Sequence, residues 1–347
     1  MSIITVGIDL AKDIFAVHGV NVSGKPELVK PRVARAKLLE LIANLPPCLI
    51  GMEACSGAHH WARLFMQHGH TVKLMAPKFV APYRLSGKRG KNDAADAAAI
   101  CEAVTRPSMR FVPIKDVSQQ AMLSLHRTRQ GFIGERTAAY NRLRGLIAEF
   151  GIVLPKKIEC LRREILVQIE ALPSGVQRCV RDLLANADEL ETRIEDYDKA
   201  INQAAKEDSR SRALMKLRGI GPVGASALLY SLGVGHDFKN GRQVAAWIGL
   251  VPGQYSSGGK ARLGRITKAG DEYLRMLLVM GARSVLSSLG DKQDRYSCWC
   301  RDLAARVGYG KATVAIAAKN ARLAWAVLHY GEDFRLTQDK ALSAAYA

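Results

Sequence analysis

Ile3-Ile4-Thr5-Val6-Gly7-Ile8-Asp9, followed after a short polar break by Ile14-Phe15-Ala16-Val17-His18-Gly19-Val20, decides the fold of the first part of this chain. Each run is apolar and of strand length, and the second reads as the antiparallel partner of the first. Outward from this pair the signals alternate. A helix around residues 35–44 precedes the strand-like Cys48-Leu49-Ile50-Gly51-Met52. A helix at 58–68, a strand at Thr71-Val72-Lys73-Leu74-Met75 and a helix at 92–104 follow. Paired strands, then strands mixed with helices, predict an α/β domain of ribonuclease H-like type, in which the first strand and a later one bring acids to one edge.

The acids are where that arrangement wants them. Asp9 closes the first strand, and Glu53 closes the strand Ile50-Gly51-Met52-Glu53. Asp93 and Asp96 stand three apart in an alanine-rich helix, so their carboxylates share a side. Hard divalent cations take oxygen ligands, so the four point to metal-assisted phosphodiester chemistry. The competing reading makes Asp93 and Asp96 ordinary first-turn acids behind an Asn92 cap. Glu102 ranks below them, on a less favourable face of the helix. His59 and His60 read as packing or surface residues, and the other histidines show no ligand spacing.

The remaining charge is strongly basic. The 347 residues carry 51 Lys and Arg against 32 Asp and Glu, a net charge of +19. Such a chain repels itself unless a polyanion is near, which makes nucleic acid the first partner to expect. A basic ribosome-associated or merely soluble protein is the alternative. No apolar run approaches the roughly 20 residues of a membrane span, and the N-terminus lacks the features of a signal peptide. The seven cysteines are scattered and form no CxxC pair, which speaks against a disulfide framework or zinc site and for a reducing cytoplasm.

Three regions are expected: 1–150 as the metal-binding domain, 151–210 as a helical connector, and 211–335 as a mainly helical C-terminal domain. In the connector, Val176, Val180, Leu183, Ala187, Leu190, Ile194, Tyr197 and Ile201 keep a heptad spacing flanked by acids. That seam predicts a coiled coil with a second copy, with packing inside one chain as the alternative. Further on, Leu217-Arg218-Gly219-Ile220-Gly221-Pro222 resembles the turn of a helix-hairpin-helix, whose backbone N–H groups face a phosphate; an ordinary helix–helix turn is the other possibility. Helices are expected at 241–248, 268–288, 294–306 and 310–330. Tyr255-Ser256-Ser257-Gly258-Gly259-Lys260-Ala261-Arg262-Leu263-Gly264-Arg265 reads as an irregular basic loop. Its composition alone favours a flexible grip on DNA over a serine nucleophile.

Taken together, these motifs resemble the DEDD transposases of the insertion-sequence "one-ten" family, related to the Piv invertases. The resemblance rests on Gly7-Ile8-Asp9-Leu10-Ala11-Lys12, Glu53-Ala54-Cys55-Ser56-Gly57 and Asn92-Asp93-Ala94-Ala95-Asp96-Ala97. It continues through Leu217-Arg218-Gly219-Ile220-Gly221, Gly249-Leu250-Val251-Pro252, Ser257-Gly258-Gly259-Lys260 and Ile266-Thr267-Lys268-Ala269-Gly270-Asp271. It implies a RuvC-like N-terminal domain, a coiled-coil connector and a C-terminal transposase domain. It further implies that Asp9, Glu53, Asp93 and Asp96 bind two Mg²⁺ ions, replaceable by Mn²⁺, and that Ser257 is the nucleophile, with Ser256 beside it. Members are similar in using a noncoding bridge RNA that pairs with donor and target DNA, so a homodimer or tetramer holding both nucleic acids is expected, in a prokaryotic cytoplasm at the nucleoid. Lys12, Lys88, Arg89, Lys91, Arg218, Gly219, Gly221, Lys260, Arg262, Arg265 and Lys268 are expected to touch phosphate. The function expected is excision and insertion of the element that encodes the protein. A RuvC-type junction resolvase cutting by water, a protein-guided invertase and a non-catalytic nucleic-acid binder are the alternatives.

Overall fold

The computed structural model describes residues 2–84, 93–258 and 260–331, without the side chains of Ser257 and Ala261. The chain divides into two compact units, Met1–Val117 and Ser118–Ala347.

In the first unit, strands β1 (Ile3–Asp9), β2 (Ile14–Asn21) and β3 (Pro26–Ala34) precede helix α1 (Arg35–Ala43). Strand β4 (Leu49–Glu53), helix α2 (Ala58–Gln67), strand β5 (Thr71–Met75) and the short α3 (Pro77–Val80) follow. Helix α4 (Asp93–Val104) and the two-residue β6 (Phe111–Val112) complete it. The sheet order is β3-β2-β1-β4-β5-β6. Strands β1 to β3 are antiparallel, β1, β4 and β5 run parallel, and β6 returns antiparallel to β5. Strand β3 lies outside the expected elements because its Pro26 and Pro31 suppress the strand signal; both are tolerated because β3 is an edge. The turn before it is held by Asn21, whose Oδ1 accepts the Ser23 and Lys25 N–H groups.

Alternation along β1 and β4 sends side chains to two different layers. Val6, Ile8, Ile50 and Met52 join a core with Leu38 and Ile42 of α1 and Trp61 and Phe65 of α2. The glycines between them, Gly7 and Gly51, are register partners facing the other way, and α4 rests directly on them. A methyl group at Gly7 would stand 2.2 Å from the Ala97 carbonyl oxygen; one at Gly51 would stand 2.8 Å from Val104 Cβ. Glycine here is what lets a helix lie flat on the sheet.

The second unit begins with the long helix α5 (Val117–Ala148), then α6 (Ile158–Gln168) and α7 (Ser174–Glu207). Ala139, Tyr140, Leu143 and Ile147 of α5 are buried with Leu161 and Ile165 of α6 and Val180 and Ala187 of α7. This shared core places α5 in the second compact unit, so the structural division falls at 117/118, whereas residue 150 was the expected end of the first region. The pairing of α5 with α7 is antiparallel. Arg129 donates to both Asp198 oxygens at 2.7 and 3.1 Å, the Phe132 ring meets Tyr197 edge-on, and further along α5 Arg136 pairs with Glu191. Arg162 of α6 takes Asp188.

Most of the heptad seam is therefore covered within one chain, which is the packing weighed against a coiled coil with a second copy. Val180, Ala187, Leu190, Ile194 and Ile201 are buried, and Val176, Leu183 and Tyr197 are half-buried. Heptad spacing specifies a covered stripe, and intramolecular helices cover it as well as another copy would.

Beyond it come α8 (Ser209–Met215), α9 (Pro222–Leu232), α10 (Gly241–Trp247), a hairpin of β7 (Pro252–Ser257) and β8 (Lys260–Ile266), then α11 (Glu272–Ser287), α12 (Arg295–Val307) and α13 (Tyr309–Tyr330). Helix α13 supplies Ile316, Ala317, Ala321, Ala324 and Trp325 to a core shared with Leu228 of α9 and Leu274 and Leu278 of α11. Asp208, Asn240, Asp271 and Asp294 cap four of these helices through side-chain oxygens. Among the described residues no helix is long and apolar enough to cross a membrane.

Candidate active site

Asp9 and Glu53 each lie two residues beyond a glycine that faces α4, so by strand alternation their carboxylates leave the sheet on the α4 side. The approach of α4 follows a regular progression. Cys101 Sγ reaches the Thr5 carbonyl, and Gly7 meets Ala97 and the Cys101 backbone. Four helical residues span about 6 Å and two strand residues about 6.6 Å, so the same progression brings Asp9 to the first turn of α4, where Asp93 stands. Asp96 is buried and Asp93 exposed. Burial, then the carboxylates of Glu53 and Asp9, raises the Cys55 thiol above its ordinary value, so both acids act on one point.

One basic side chain ties this edge together. Arg84 Nη2 donates to Glu53 Oε1 at 2.7 Å, and its Nε lies 3.1 Å from Asp96 Oδ1. A guanidinium thus stands between two of the four acids, in the position a cation would take. The donor set is all carboxylate and suits a hard divalent ion. Among the described residues, however, no three acidic, histidine or cysteine side chains stand close enough to share one. The acids fit a metal in chemistry; in this arrangement Arg84 supplies the positive charge. Sequence reading missed Arg84, which follows a 3-10 turn at 81–83 and belongs to no motif. His59 has a packing role, accepting the Lys115 N–H at 3.2 Å. Glu102 pairs with Arg106 at the surface.

In the second unit, the expected irregular loop is a two-stranded ribbon. Tyr255 pairs with Arg262, Ser256 with Ala261 and Ser257 with Lys260, with Gly258 in the turn that follows β7. Gly258 has φ +56°, and adjacent glycines between two strand runs are the signal that could have revealed the turn. The ribbon is exposed, with Tyr255 80% and Leu263 68% accessible. Its base is pinned. Gly249 and Gly270 have φ of +79° and +83°, and methyl groups there would stand 2.2 Å from the Ala269 oxygen and 1.8 Å from the Trp247 oxygen. Thr267 N–H donates to the Val251 carbonyl and Lys268 N–H to that of Gly249, while Arg275 donates to Ile248. Ser257 thus ends a strand at the free end of a basic ribbon whose other end is locked.

Lys260, Arg262, Arg265 and Lys268 are exposed on or beside this ribbon, and Lys12 is exposed just past β1. Lys88, Arg89 and Lys91 lie outside the described residues. Gly219 and Gly221 form the turn between α8 and α9 as expected; Gly219 has φ +82° and abuts Gly281 of α11. A groove of roughly 540 Å³ runs along this turn. Arg218 lines the same groove, and its Nη1 donates to Asp294 at 3.0 Å and to Ser297 at 2.6 Å.

The matches to known proteins bear on both units. A family model described as "Transposase IS116/IS110/IS902 family" matches residues 211–297, and a DEDD model described as "Transposase" matches residues 6–152. A probable family 20 transposase of Pseudomonas aeruginosa is 43% identical over 94% of this chain and 97% of its own length. The chain belongs to the IS116/IS110/IS902 family of transposases. Two further relatives are transposases for named insertion elements: IS1328 of Yersinia enterocolitica, 39% identical over 95% of this chain and 98% of the relative, and IS1111A of Coxiella burnetii, 38% over 95% and 90%. The transposase is accordingly an enzyme that cleaves and rejoins DNA. Its two family matches fall on the two constellations described above: the strand-end acids with α4, and the segment from α8 to the start of α12 that contains the ribbon.

Proposed function

We propose that the transposase excises and inserts its own element by attack of Ser257 on a DNA phosphodiester. The observation that carries this reading is the position of Ser257 at the free end of an exposed basic ribbon with a pinned base. The Ser257 oxygen forms the new bond to phosphorus and gives its proton to water. The bond from phosphorus to the 3′ oxygen breaks, and that oxygen leaves with the electron pair and is protonated, giving a free 3′-hydroxyl and a phosphoserine link. Attack by another 3′-hydroxyl on this link reseals DNA and restores the serine. Lys260, Arg262 and Arg265 neutralise the phosphate as charge builds on it.

Asp9, Glu53, Asp93 and Asp96 would hold Mg²⁺, which offsets the charge of the reacting phosphate. The sheet order, with β1 between β2 and β4, supports a ribonuclease H-like, RuvC-like reading of the first unit. Acids and serine belong to different compact units, so the working site is assembled either by the two units of one chain or between copies in a dimer or tetramer. A bridge RNA choosing the DNA by base pairing fits a protein whose excess charge serves backbone rather than bases.

Denaturing gels of labelled element-end DNA test the chemistry. Wild type gives a protein–DNA adduct, Ser256→Ala keeps it, and Ser257→Ala and Asp93→Asn lose it. An adduct that survives Ser257→Ala overturns the assignment. Sequencing RNA that co-purifies with the protein tests the guide; recovery of no element-derived RNA moves the reading to a protein-guided invertase.

A further inference from the structure

Four cations gather on one corner of the second unit with no described carboxylate paired to them. Lys319 and Arg322 lie three apart on α13, both half-buried, and Lys319 Nζ stands 4.3 Å from the Trp299 ring centroid. Trp299 is one turn beyond Arg295 on α12. Across from them the start of α10 is pressed against α13: a methyl group at Gly241 would lie 2.9 Å from Arg322 Cα, and Arg242 follows at once. The acid nearest in sequence to Arg295 is already committed, since Asp294 holds Arg218 and Ser297.

This arrangement is unfavourable as it stands. Burial and then the neighbouring Arg322 lower the Lys319 amine below its ordinary value. Burial and then Arg242 do the same to Arg322. Two half-buried cations beside two exposed ones repel one another, and a folded chain keeps such a cluster at a cost in stability that an anion would remove. Cations gathered from two helices and one helix start suit the phosphates of a strand, to which most protein–nucleic acid hydrogen bonds go.

We infer that Lys319, Arg322, Arg242 and Arg295, backed by Trp299, form a binding site for the phosphodiester backbone of a nucleic acid, separate from the ribbon that carries Ser257. The inference deepens the reading of the protein as a holder of DNA and guide RNA, and assigns a further part of the surface to that task.

The test is titration of the full-length protein with labelled element-end duplex DNA and, separately, with an RNA hairpin of the element's flank, each over a range of salt. Arg242→Gln with Arg295→Gln changes only exposed groups; Lys319→Gln with Arg322→Gln removes the half-buried pair. Each pair is expected to flatten the slope of log affinity against log salt by about 1.8 on duplex DNA, or by about 1.4 where the contacts fall on the single-stranded loop of the RNA hairpin, for two lost phosphate contacts. The nucleic acid that shows the change is the ligand. Lys319→Gln with Arg322→Gln should also melt at a higher temperature without nucleic acid, which a merely structural pair would not do. Unchanged affinity and slope on both probes overturn the site while leaving the serine chemistry standing. Failure of wild type to bind either probe overturns both.

Discussion

Arg84 Nη2 donates to Glu53 Oε1 at 2.7 Å, and this ion pair occupies the edge of the sheet where β1 and β4 end their acids. A divalent ion bound there, as proposed, would compete with the guanidinium for the same carboxylate oxygens. Arg84→Ala is expected to lower the stability of the metal-free protein by about 1 kcal/mol and to tighten Mn²⁺ binding about tenfold, as read by calorimetry. Equal Mn²⁺ affinity in both proteins would show that Arg84 does not contest the site.

The contact between β1 and α4 makes a graded prediction. At Gly7 an added methyl meets backbone at 2.2 and 2.4 Å, whereas at Gly51 it meets the Val104 side chain at 2.8 Å. Backbone cannot yield as a side chain can, so Gly7→Ala should cost more than about 3 kcal/mol and Gly51→Ala roughly 1–2. Denaturant titration orders them; the reverse order would mean that α4 is not seated on Gly7.

Filling of the α7 seam within one chain predicts how its variants fail. Leu190→Ala and Ile194→Ala should each cost about 2–4 kcal/mol by leaving cavities. Their melting temperatures should not vary with protein concentration. A concentration-dependent melt would return the seam to a partner copy.

His126 gives the second unit a pH dependence. Its ring is buried between the Tyr273 hydroxyl and Ser226 Oγ, each at 3.0 Å. Burial, then Arg129, lowers its pKa to about 4. The unfolded chain, with its histidine near 6.5, takes the proton first as pH falls. Stability is therefore complete above pH 6.5 and is lost progressively toward pH 4, by about 2 kcal/mol at pH 5. His126→Gln should remove that slope in denaturant titrations at pH 7 and 5; an unaltered slope assigns it elsewhere.

Much of the first unit could be read from residues because its signals are local. Val6 and Ile8 alternate with Gly7 and Asp9, and Ile50 and Met52 with Gly51 and Glu53, so strand, face and acid are written together. Strand β3 was hidden by prolines that an edge tolerates. The ribbon was hidden by serine, glycine and arginine, which carry little strand preference, although Gly258-Gly259 marked its turn. Heptad spacing located the seam and was silent on what covers it. Arg84 and the inward turn of Arg218 are tertiary facts: each depends on an acid far away in sequence, and no spacing encodes that.

The ribbon has one more consequence, in distance. Strand β7 has six residues, so at about 3.3 Å each its free end stands roughly 20 Å from the pinned base. Over that arm a tilt of about 3° at the base displaces the end by about 1 Å, an error large enough to cost a reaction on the order of a hundredfold. In the proposed reaction Gly249 and Gly270 would touch no reacting atom, yet they would set the aim of the oxygen that attacks phosphorus. The accuracy of that proposed step would be fixed roughly 20 Å from the bond it forms.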